Sequence, residues 1–130
     1  MWRAVGICII VIACLSSCTK DTAVYSPCPG CPSNISFSAA IIPIFASNCS
    51  SVGCHNTSTH AGSVDLDSAY AYAAITKPGT GYVVAGNADY SLVYSELLPG
   101  NSLHMPISSQ LDACDIQKIQ CWINQGALNN

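Results

Sequence analysis

The sequence predicts a small, mostly α-helical domain with long loops. Three observations predict it. "LDACDIQKIQCWINQGA" puts Ile116, Ile119, Trp122 and Ile123 on one apolar stripe at helical spacing. Three shorter blocks upstream, "FSAAIIPIFASN", "VDLDSAYAYAAI" and "NADYSLVYSELL", also read as helices. The stretches between them, such as "NTSTHAGS" and "PGNSLHMPISSQ", are too long for so small a domain unless they wrap something.

The chain opens with Arg3 and an apolar run from Ala4 to Leu15, a signal-peptide pattern in length and charge. It is shorter than the roughly 20 apolar residues that a membrane-spanning helix needs. "LSSC", ending at Cys18, resembles the lipobox of bacterial lipoproteins. Residues 1–17 are therefore expected to be a lipoprotein signal peptide, and Cys18 the lipidated N-terminus. Each buried methylene contributes about 0.8 kcal/mol, so an anchor of several acyl chains is effectively permanent. Residues 18–36 are rich in Pro, Ser and Thr and read as a tether carrying Cys28 and Cys31. Residues 37–130 make the domain.

Within it, Ile41, Ile44 and Phe45 share a helical face, with Ser38 as a cap and Pro43 limiting the length. Asp67 is a plausible N-cap for a helix through about Ile75. "KPGTG" is a turn and "YVVAG" a short extended piece. The next helix is expected to turn Leu92, Val93 and Leu97 inward. The last runs from an Asp112 N-cap, with Asp115 at N3, to a stop at Gly126.

The chain carries a formal net charge of −3, and only 8% of its residues are charged. That excludes nucleic acid, which needs basic patches, and suits a basic docking partner. Without the signal peptide, the cysteines are 18, 28, 31, 49, 54, 114 and 121. In an oxidising compartment such thiols pair or bind something.

"SNCSSVGCHNTS" holds the chemistry. Covalent haem needs two thiols for the two porphyrin vinyl groups and a nearby iron ligand, and C-x-x-C-H is the usual signature. Here four residues separate Cys49 from Cys54, with His55 directly after. Gly53 would let the longer loop bulge. Spacing alone leaves two readings open: a stretched haem motif, or a Cys49–Cys54 disulfide beside a surface histidine. Met105 lies in an aperiodic loop stiffened by Pro106, which suits a thioether presented to iron better than core filler. His104 is its rival as distal ligand. His60 reads as an exposed loop histidine.

Four segments together resemble class I c-type cytochrome domains of the planctomycete and Bacteroidetes type: "FSAAIIPIFASNCSSVGCH", "VVAGNADYSLVYSEL", "HMP" and the last helix. The resemblance covers residues 35 to 128 or so; the x₄ gap between the thiols departs from the pattern. It implies a small class I cytochrome c-like helical domain with long loops wrapped around one covalent haem c. It also implies thioethers at Cys49 and Cys54, a proximal His55 and a distal Met105. The implied protein is a lipid-anchored monohaem electron carrier, not an enzyme. It would serve redox partners at the membrane or in the periplasm. Thr19 and Lys20 after the lipidated cysteine do not demand inner-membrane retention, so the outer membrane is slightly favoured, with the domain in the periplasm or at the cell surface.

Two alternatives stand beside this reading. One is a haem-free, disulfide-stapled lipoprotein that acts as a binding module. The other is a haem sensor or peroxidase with a labile distal position.

The remaining cysteines allow three pairings. Cys114 and Cys121 lie about 10.5 Å apart along one helix, too far to bond each other. Closure of Cys28 on Cys31 would strand that helix pair, and a four-cysteine zinc site suits an oxidising compartment poorly. The resemblance implies Cys31–Cys114, which leaves Cys28–Cys121.

Overall fold

A computed structural model describes residues 28–130. The signal segment, Cys18 and most of the tether fall outside the described residues. The described chain is mostly helical, with no strand among those residues. No described helix is long and apolar enough to cross a membrane.

The order begins with a π-helical turn, Phe37–Ile41, running into α1, Ile42–Asn48. Ser36, not Ser38, is the cap: its hydroxyl accepts from Ala39 N–H. The far end of the chain closes this turn. Asn130 accepts from Phe37 N–H through Oδ1 and from Ser38 N–H through its carbonyl oxygen, at 2.8 and 2.9 Å. Pro43 stands in the first turn of α1, where its missing N–H costs nothing.

A long loop leads through a 3₁₀ turn at Ala61–Ser63 to α2, Ala71–Ile75. This helix starts later than the sequence suggests. Asp67 does not cap it; its carboxylate accepts from the N–H and hydroxyl of Thr57 at 2.8 and 2.6 Å. The nearer donors across the loop take the carboxylate.

After Lys77–Gly81 comes an irregular segment, then a 3₁₀ turn at Ala88–Tyr90 and α3, Leu92–Ser95. The buried Ser91 hydroxyl donates to Asn87 C=O and accepts from Val84 N–H, each at 2.8 Å, which folds this corner on itself. So short a helix turns Leu97 inward and half-buries Val93, but it leaves Leu92 exposed.

α4, Ala113–Asn124, is the spine. Asp112 caps it, accepting from Cys114 N–H at 2.8 Å, and Asp115 pairs with Lys118. Ile119, Trp122 and Ile123 are fully buried. Gly126, at φ +102°, takes the left-handed conformation that ends the helix, and Ala127 N–H closes onto Trp122 C=O. Trp122 packs on Phe37 and Tyr72 at ring centroid separations of 5.0 and 6.5 Å, and its Nε1–H donates to Leu128 C=O. This aromatic cluster ties the first turn, α2 and α4 into one core.

The disulfides are Cys28–Cys114 and Cys31–Cys121, the reverse of the expected Cys31–Cys114 and Cys28–Cys121. Direction is the reason. The segment from Cys28 runs parallel to α4, so its first cysteine meets the first on the helix. Three extended residues span up to about 10 Å, matching two helical turns. Gln125 holds this register: its Nε2 donates to Pro32 C=O and its Oε1 accepts from Ile35 N–H, at 2.6 and 2.9 Å. Residues 28–36 are thus a strap fastened along the last helix.

Candidate functional site

Three loops converge beside α4. The first follows α1. Cys49 N–H and Ser50 N–H both close onto Phe45 C=O, and His55 N–H returns to Cys49 C=O at 3.1 Å. The chain between the two cysteines is therefore a compact coil. Gly53 sits at φ +88°, a left-handed position that suits glycine, and its N–H is held by the Thr59 hydroxyl. Ser50 Oγ donates to Leu66 C=O, and Leu66 N–H donates to His55 C=O, so the far limb of the loop is tied back.

The second wall comes from α3 and its corner. Gly86 N–H donates to Ile123 C=O and Ala88 N–H to Asn124 Oδ1, docking this corner on the end of α4. Val93, Glu96 and Leu97 then face the site. The third loop runs from Pro99 to Leu111. Asn101 Nδ2 donates to Ser95 C=O, and Met105 N–H donates to Glu96 C=O at 2.7 Å. Met105 is thereby tied to the end of α3.

Two adjoining hollows result, and Cys49, His55 and Met105 line both. The inner one, about 70 Å³, is walled by apolar side chains including Phe45, Leu66, Leu97 and Ile119. The outer one, about 380 Å³, opens to solvent between the Cys49–His55 coil and residues 105–109. Cys54 and Gly53 line the outer hollow.

His104 lines neither hollow; its Nε2 lies 2.9 Å from Gln110 Oε1 at the surface. Gln110 in turn donates to Leu97 C=O. His60 is exposed and pairs with Asp65 at 3.3 Å.

His55 is held in one tautomer. Its Nδ1 lies 2.8 Å from Ala61 C=O. A carbonyl only accepts, so Nδ1 carries the proton and Nε2 keeps its lone pair. This is the support that a metal-binding imidazole ordinarily receives from its surroundings. The Ala61 carbonyl is invisible to sequence reading, because any residue type could supply it. Only the backbone path, through His60 at φ +47° and Gly62 at φ +63°, aims it.

Neither Cys49 nor Cys54 is in a disulfide, while the other four described cysteines are paired. Cys49 is half-buried, and burial, with the nearby Cys54 adding to it, pushes its thiol up to about 11. It is a neutral thiol there. Among the described residues, no group of three or more His, Cys, Asp and Glu side chains is placed to hold a bare metal ion.

The chain matches no protein-family model, no curated protein and no solved structure.

Proposed function

We propose that this chain is an exported monohaem cytochrome c that carries single electrons. Cys49 and Cys54 would hold the porphyrin as thioethers, and His55 and Met105 would ligate its iron. The observation that carries this reading is the convergence of those four residues on one two-part cleft, with the His55 ring already turned by Ala61 to offer Nε2. Three further facts fit the group. Two thiols stand unpaired beside two disulfides. Apart from Glu96 and His55, the inner wall is mostly apolar. No charged side chain lines the outer hollow.

Haem, when bound, supplies a one-electron couple at iron. The rest is the work of this chain. Ala61 fixes the imidazole and strengthens it as a donor. Tying Met105 N–H to Glu96 C=O sets where the thioether is presented. Phe45, Leu66 and Ile119 keep water from the inner side, and burial with His/Met ligation raises the reduction potential. Such a design favours electron transfer over turnover of a substrate, so the carrier is read as no enzyme.

Lipid anchoring through Cys18 and a place at the bacterial envelope belong to the same proposal. Two disulfides in the described chain suit an oxidising, exported setting.

The test is the intact mass of protein made in a host competent in haem c maturation, then denatured. A gain of one haem over the polypeptide supports the reading. A bare polypeptide mass overturns it and leaves a disulfide-stapled binding module.

A further inference from the structure

We propose that Cys31 is an exchange site for a dithiol reductant, and that reduction there moves the bond of Cys28 from Cys114 to Cys31 and releases the strap from α4. The proposal is independent of the cytochrome reading. Cys28-Pro29-Gly30-Cys31 has a C-x-x-C spacing that the two disulfides leave unused. Pro in the second place and Gly in the third are what a type II turn asks for. Such a turn brings its first and fourth Cα atoms within about 7 Å, the range of a disulfide. The strap holds these four residues open instead, along two turns of α4. Gly30 is the one described glycine without a positive φ, and a Cβ added to it would meet open space. Nothing in the fastened strap needs a glycine there, whereas the closed turn does.

The two bonds differ in access. Cys31 is exposed, while its partner Cys121 is only 1% exposed. An incoming thiolate can therefore enter at Cys31 and expel Cys121 inward. Cys28, at 9%, and the half-buried Cys114 offer less to a reductant from outside. Lys118 stands on α4 between Cys114 and Cys121 and lines one small hollow with both. Its ammonium group, shared with Asp115 at 2.8 Å, attends both leaving sulfurs as they gain charge.

The first thiolate of the dithiol bonds to Cys31 Sγ, and Cys121 leaves. The second thiol of the reductant then closes the reductant's own disulfide and frees Cys31. Cys31 attacks Cys28 Sγ three residues away, and Cys114 leaves. The dithiol gives up two electrons and two protons. Two protein disulfides become one, and the protons end on Cys121 and Cys114. Those two thiols lie about 10.5 Å apart along the helix, too far to bond each other. One reductant thus removes both covalent ties to α4, and the Gln125 bonds to Pro32 and Ile35 remain.

Dithiothreitol tests this on the intact, folded protein. One equivalent is added, samples are quenched over time with excess N-ethylmaleimide, and peptide mass spectrometry maps the sulfurs. Cys49 and Cys54 are counted apart, as thioethers or thiols, so the result does not turn on haem. The first product to accumulate should carry maleimide on Cys114 and Cys121, with matching time courses, and a Cys28–Cys31 bond. Gly30→Val should form both original disulfides and keep the parent's unfolding midpoint. It should slow the appearance of the Cys114 thiol about fivefold or more, because a β-branched residue resists the left-handed place in the turn. The proposal is overturned if thiols accumulate at Cys31 and Cys121 with Cys28–Cys114 whole, if all four thiols appear together, or if both bonds survive. It also falls if Gly30→Val reacts as fast as the parent.

Discussion

His55 Nδ1 and the Ala61 carbonyl oxygen are 2.8 Å apart, so the loop that follows the histidine also orients it. His55→Ala removes the imidazole but leaves both thiols and the loop. Haem content per polypeptide should fall by about tenfold or more, since losing even a metal ligand's outer support costs about 10–100-fold. Absorbance against protein concentration checks it. Full haem content in this variant would mean that His55 is not the anchor.

Met105 and His104 are neighbours with opposite placements. Met105 lines the cleft, and His104 is engaged by Gln110 outside it. Met105→Ala should lower the reduction potential and open a position that takes added imidazole. His104→Ala should change neither. Redox titration of both variants decides between the two ligands.

The two thiols differ. In the haem-free chain with its disulfides intact, Cys54 is exposed and Cys49 is half-buried, with a thiol pushed up to about 11. The thiolate is the reacting form, so iodoacetamide at pH 8 should label Cys54 about tenfold faster or more. Mass spectrometry of peptides reads the ratio. Equal rates would contradict the burial of Cys49. After haem attachment neither should react.

The pairing of the strap is testable by double substitution. Cys28→Ser with Cys114→Ser should still form Cys31–Cys121 and show no thiol at these positions. Cys28→Ser with Cys121→Ser should leave Cys31 and Cys114 unpaired, because the strap's direction holds them apart. Each disulfide closes a loop of 86 or 90 residues in sequence separation. Loss of one should cost about 2–5 kcal/mol, measured by denaturant unfolding.

Asp67 couples the fold to acid. The Thr57 hydroxyl, then the Thr57 N–H, holds its carboxyl below the ordinary value of 3.8. A depressed folded value contributes stability that is present above the ordinary value. That stability is lost as the pH falls through the folded one. Thermal unfolding should therefore fall further between pH 6 and pH 3 in the parent than in Asp67→Asn. An identical acid response in both proteins would discard the contribution.

α4 was legible because each signal for it is local: the Asp112 cap, the 3.6-residue stripe and Gly126. The first helix was legible in place but not in its cap: Ser36 caps it, while Ser38 gives its N–H and its hydroxyl to the Asn130 carbonyl, 92 residues away. Asp67 misled because its partner, Thr57, lies back across a loop. Leu92 misled because α3 is only one turn long. The disulfides turned on the direction of a strap, which no spacing records. At the site, the side chains Cys49, Cys54, His55 and Met105 could be named from the sequence. Their backbone supports, Ala61 and Glu96 C=O, could not, because a carbonyl leaves no mark in residue type.

The strap has a mechanical side. It is joined at Cys114 and Cys121, two turns apart on α4, and gripped again by Gln125. Tension arriving from upstream of Cys28 would be delivered first to the Cys114 end of α4, the longest helix among the described residues, through a covalent bond. Neither disulfide cysteine of α4 lines the cleft. A domain pulled or swung by a leash at that point would turn as one piece, and the cleft between the Cys49–His55 coil and residues 105–109 would keep its shape while it searched for a partner.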